Sequence, residues 1–163
     1  MDPRLIALEL FLTELDIPVK INSLGDRKRV QKAVYLGQLT GVDLGYRFGW
    51  YLMGPYSPAL TRDYYALAES LESDESELAG KRLHPSVSQR LRRIRQLLDV
   101  PSEIPLLQED WLELLASYHF LRHVRGLSHD DAALQLNLHK PHLAKYTDAA
   151  ADSLYEFRLL SGR

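Results

Sequence analysis

The stretch that decides the fold is Arg27–Gln38, RKRVQKAVYLGQ, followed by Tyr46–Leu60, YRFGWYLMGPYSPAL. In the first segment Val30, Ala33, Val34 and Gly37 recur at helical spacing, with Arg27, Lys28, Gln31 and Lys32 mostly on the opposite face. Asn22-Ser23 precedes it, and Ser23 with Asp26 forms a capping-box pattern with Asp in place of the usual Glu. In the second segment Tyr46, Phe48, Trp50 and Leu52 alternate with Arg47, Gly49, Tyr51 and Met53. A period of two rich in aromatics predicts a strand, with Phe48 and Trp50 buried and Arg47 not. Gly54-Pro55 is expected to stop it, and Ser57-Pro58 supplies a cap and a first-turn proline for the next helix.

Outward from this centre, Leu5, Leu8, Leu12 and Leu15 predict a first helix over about 3–15, started by Asp2-Pro3. Leu60, Tyr64, Leu67 and Leu71 give the stripe of the helix after Pro58. An acidic run (Glu69, Glu72, Asp74, Glu75, Glu77) then passes into a basic one (Lys81, Arg82, Arg90, Arg92, Arg93, Arg95), which reads as a solvated helix face. Leu78 to His84 is at best a short second strand. Pro101 and Pro105 mark a linker. Three helices are expected beyond it, the first lined by Trp111, Leu114, Leu115, Tyr118 and Leu121, the second over 128–136 and the third over 147–160.

The chain has 163 residues, 45% hydrophobic and 26% charged, which suits one ordinary domain with a real core. It contains no cysteine, so thiolate and disulfide chemistry are excluded and a cytoplasmic setting is expected. No run of about 18 apolar residues would span a membrane, and the N-terminus does not read as a signal peptide. A net charge of −2 argues against a general affinity for phosphate backbones. The expected fold is mainly α with a small β element, a single domain over 1–163. A winged-helix-like half (1–100) is followed by a helical half (106–160).

Val30-Gln31-Lys32 with Tyr35, then Gly54-Pro55-Tyr56-Ser57, resembles the YwgA-like, Panacea-related group of bacterial proteins. Met53 stands where that group often has Tyr. LELLASYHFLR (112–122) and Lys140-Pro141 extend the resemblance over roughly residues 25–155. The module is also similar to the toxin-binding C-terminal part of antitoxins paired with DNA ADP-ribosyltransferase toxins. In those antitoxins a macrodomain precedes the module, and none is expected here. The resemblance implies a protein-binding or regulatory role beside toxin–antitoxin or defence functions, and it implies no catalytic residue.

From the residues themselves, Tyr56, Arg62 and Tyr65 are the candidate protein-binding surface. Tyrosine favours interfaces, and Tyr65 lies one position off the inward stripe. The partner expected is another protein, a toxin among the candidates. The second reading is a DNA-binding regulator. Residues 128–146 fit a helix-turn-helix register, with Lys140, His142 and Lys145 projecting from one exposed face. The third is a helical RNase using Arg122 and His129. His119 and His123, four residues apart, could share a metal but have no obvious third ligand. No P-loop, GxGxxG, HExxH or GxSxG motif occurs, so neither an enzyme nor a cofactor is expected.

Overall fold

The computed structural model describes residues 1–73 and 78–162. Asp74, Glu75 and Glu77 of the acidic run lie outside the described residues. The architecture is mainly α with one two-stranded antiparallel hairpin. In chain order the elements are α1 (Pro3–Glu14), α2 (Leu24–Gln38), β1 (Gly49–Tyr51), β2 (Gly54–Tyr56) and α3 (Pro58–Ser73). They continue with α4 (Pro85–Arg92), α5 (Arg95–Leu98), α6 (Gln108–His119), α7 (His129–His139), α8 (Pro141–Ala144) and α9 (Thr147–Glu156). A π-helical turn, Phe120–Val124, prolongs α6.

Local chemistry starts these helices where the sequence predicts. Asp2 caps α1 ahead of Pro3. Ser23 and Asp26 form the full capping box of α2, each side chain accepting the other's backbone N–H. Ser57 Oγ accepts the Leu60 N–H at the start of α3, and Ser128 caps α7.

Two helices are buried far beyond what an amphipathic stripe allows. In α2 every residue from Val30 to Gly37 is buried, and in α6 every residue from Trp111 to His119. They pack against each other, and the rest is arranged around that pair: α1 and the hairpin against α2, α7, α8 and α9 against α6. At Gly37 a Cβ would run into the Phe11 ring, so glycine is what lets α1 lie close on α2. Buried residues from both ends of the chain belong to one continuous core.

Several expectations are corrected. Gly54-Pro55 does not end the β element but begins its second strand, with Gly49 opposite Tyr56, Trp50 opposite Pro55 and Tyr51 opposite Gly54. The turn therefore falls at Leu52-Met53. Leu78 to His84 contributes no strand. Phe48 and Trp50 are partly rather than fully buried, while Arg47 is exposed as expected. Trp50 lies over Phe120, ring centroids 5.6 Å apart, with the Arg125 guanidinium 6.0 Å from its centroid. The supposed polar face of α2 is largely enclosed: Gln31 and Lys32 are each only 2% exposed, because the hairpin and α6 cover that side. The basic run is a solvated face as expected, with Lys81, Arg82, Arg90, Arg92 and Arg93 exposed; at its end Arg92 pairs with the Glu14 carboxylate of α1 and Arg95 donates to the Glu14 carbonyl.

Candidate functional site

Gln31 and Lys32, adjacent on α2, reach the hairpin and fix it from beneath. The Gln31 amide brackets Ser57, donating to its carbonyl (2.9 Å) and accepting its N–H (3.0 Å). Lys32 Nζ donates to the Pro55 carbonyl at 2.6 Å. Gly54 makes this approach feasible. Its φ of +87° suits glycine, and a Cβ there would collide with Ser117 Oγ of α6.

Behind the hairpin lies a largely buried set of charges. Glu113 of α6 accepts from Lys28 Nζ (2.8 Å) on one oxygen and from Lys140 Nζ (2.5 Å) on the other. Lys28 also donates to Asp110 at 2.6 Å, and Lys140 to the Leu52 carbonyl at 2.8 Å. Burial opposes the Lys28 charge, but its hydrogen bonds to Asp110 and Glu113 outweigh that and hold its pKa above the usual lysine value. Lys32 is treated differently. It has no carboxylate within ion-pair distance among the described residues, and burial pushes its pKa down to about 7 against the partial relief of Glu113.

In front of the hairpin these residues line an open cleft of about 400 Å³, walled by α2, the hairpin and α3. Its floor holds Arg27, Lys28 and Lys32, and among the described residues no Asp or Glu lines it. Its mouth is apolar: Leu24, Tyr51, Leu52 and Tyr65 are 56%, 50%, 96% and 48% exposed. Tyr56, partly buried, stacks edge-on against Tyr51 with centroids 5.0 Å apart and receives the Thr61 hydroxyl at 2.6 Å.

Of the expected protein-binding residues, the cleft brings Tyr56 and Tyr65 together, while Arg62 is exposed on α3 outside the lining. Tyr51, one of the tyrosines the sequence offers as contact area, also lines the cleft, whereas Leu24, Leu52 and Lys32 are not expected from the sequence as contact residues. An apolar Leu-Met pair at a hairpin tip was the available signal for Leu52.

The helix-turn-helix expectation is corrected in its geometry. His142 and Lys145 are exposed, but Lys140 is 2% exposed and turned inward to Glu113, so the three do not share a surface. The second helix of that register, α8, is a single turn of four residues.

Arg122 and His129 do meet, at the end of α6. Arg122 Nη1 donates to the Tyr118 oxygen (2.9 Å) and the Tyr155 oxygen (2.8 Å). The Tyr118 proton then points to His129 Nδ1 (2.7 Å), which leaves Nε2–H to donate to Asp148 (3.1 Å). The one lone pair of the imidazole, on Nδ1, is thus taken by Tyr118, and its N–H by Asp148. His119 is taken up in the core. Its Nε2–H faces the Leu159 carbonyl, Nδ1 accepts the Tyr35 hydroxyl at 2.7 Å, and burial, with His123 nearby, lowers its pKa to about 4. Among the described residues no three potential ligands gather to hold a metal ion, and no helix is long and apolar enough to cross a membrane. No family model, curated protein or solved structure matches the chain, so the site stands on its own residues.

Proposed function

We propose that this chain is a non-catalytic, antitoxin-like or regulatory protein-binding module of the cytoplasm, and that the cleft between α2, the hairpin and α3 is its contact surface. One observation carries the reading: four large apolar side chains stand exposed around the mouth of one preformed cleft. Scattered exposed hydrophobics need no explanation, but a cluster around a concavity is what a partner covers. Tyrosines supply contact area at low conformational cost, and Tyr51, Tyr56 and Tyr65 are braced by neighbouring rings or hydroxyls.

The resemblance to the YwgA-like, Panacea-related group is compatible with this reading. Of the residues that carry it, Gln31, Lys32 and Tyr56 line the cleft, and Pro55 and Ser57 are hydrogen-bonded to Lys32 and Gln31 behind it. The engaged nitrogens of His129 favour a structural over a catalytic role for the Arg122 cluster. The buried Lys140 weakens the DNA-binding alternative.

The test is capture from the native cell, identification of the co-purifying protein, and reconstitution from purified components. A Leu52→Ser, Tyr65→Ala double variant is expected to bind about tenfold or more weakly with an unchanged melting temperature. Full binding by that variant would move the contact surface elsewhere.

A further inference from the structure

We propose that the occupant of this cleft is an acidic peptide segment, which lays an apolar side chain against Leu52 and the tyrosines and turns a carboxylate inward to Arg27 and Lys32. The inference rests on the cleft being the contact surface and adds the chemistry of what fills it.

The charge arrangement is incomplete from within. Lys28, Lys32 and Lys140 surround Glu113, and Asp110 is taken by Lys28. Three ammonium groups therefore share two carboxylates, and Lys32 is the one left with only a backbone carbonyl. The charged groups acting on it are Glu113 from α6, Lys28 from α2 and Lys140 from the α7–α8 junction. β2 offers a carbonyl, and α3 presents Thr61, Tyr64 and Tyr65 to the same cleft. Arg27 likewise meets the Ile21 carbonyl at 3.0 Å and has no carboxylate partner among the described residues. An entering carboxylate would complete both in a setting where a charge-assisted bond is strong. Burial lowers the Lys32 pKa, and no carboxylate at ion-pair distance among the described residues offsets it.

The rest of the site argues for a peptide. The apolar mouth spans Leu24, Tyr51, Leu52 and Tyr65, more surface than a small acid would cover. A nucleic acid draws its affinity from a run of cations along its phosphates. Among the described residues only Arg27 and Lys32 on the floor have no carboxylate partner, while Glu109 and Asp110 hold Arg29 and Lys28.

The experiment pans a displayed random library of about 12-residue peptides on the full chain and on the Leu52→Ser, Tyr65→Ala variant at neutral pH. Peptides that depend on the rim are expected to carry Asp or Glu close to a large apolar residue. Changing that acid to its amide should weaken binding about tenfold or more. Calorimetry at about pH 7.5, in two buffers of different ionisation heat, should show net proton uptake with the acidic peptide and none with its amide. Lys32→Arg, a cation that cannot titrate there, should bind without uptake. If it does not fold, the amide peptide carries the same comparison. Rim-dependent peptides without acids overturn the acidic occupant and leave the surface standing. Absence of rim-dependent peptides overturns both. A short oligothymidylate that displaces the selected peptides and binds more tightly makes the occupant a nucleic acid and overturns the proposal.

Discussion

Two polar clusters hang on α6 and its continuation, and they differ chiefly in solvent. At Glu113 the carboxylate and its partner Lys140 have side chains 4% and 3% exposed. At His129 and Asp148, past the end of the helix, the figures are 40% and 89%. Both are networks of hydrogen bonds at ordinary distances. At the Glu113–Lys140 pair little water is at hand to replace a lost partner, whereas the outer cluster can exchange a partner for solvent. Similar drawings of contacts thus describe one site that fixes the fold and another that the fold tolerates.

The sharpest way to break this comparison is Glu113→Ala. It leaves Lys140 without its carboxylate and Lys28 with Asp110 alone, and should cost about 3–5 kcal/mol in denaturant unfolding. A loss below about 1 kcal/mol would mean water reaches the inner cluster and the contrast is void. Next comes acid. His119 is a base whose folded pKa, about 4, lies below its unfolded value of 6.5, so the unfolded chain binds the extra proton. Stability should therefore fall as pH drops from about 6.5 to about 4, by on the order of 3 kcal/mol, and His119→Gln should flatten that window. Lys32 acts with the same sign higher up, its penalty complete below about 7 and relieved as pH rises toward 10.5.

Gly54→Ala should cost about 2 kcal/mol, through the left-handed φ and the collision with Ser117, measured by the same unfolding curves. The smallest effect belongs to the outer cluster. Asp148→Asn should shift stability by about 0.5 kcal/mol or less, since an exposed ion pair contributes little. A shift above 2 kcal/mol would place that cluster in the same class as the inner one.

What the sequence made legible was local. Ser23 with Asp26, Asp2-Pro3 and Ser57-Pro58 announce helix starts, because a cap is chemistry between residues two or three apart. The hairpin was misread because its turn, Leu52-Met53, carries none of the usual turn residues, while Gly54-Pro55 just beyond carries two. Lys32 and Lys140 looked like solvent-facing cations. Lys140 is buried on Glu113 and Lys32 on the Pro55 carbonyl, both far along the chain, and no helical period encodes a partner on another element. For the site, Tyr56 and Tyr65 could be picked from their place after the GPYS turn. The cleft itself could not, since it exists only where the misread hairpin stands off α2 and α3.

The Lys140 ammonium reaches the Leu52 carbonyl across 88 positions of sequence. During synthesis this makes the hairpin tip a late customer of the chain. A nascent polypeptide that has emerged only to α6 already holds Glu113 and the hairpin, yet lacks the cation that satisfies both. Long-range contacts of this kind slow folding, because loop closure must precede the gain. The expected order is therefore α2 against α6 first, and the hairpin tip locked only when the α7–α8 junction arrives. Until then the surface proposed for partners is unfinished, so competence to bind is coupled to completion of the fold.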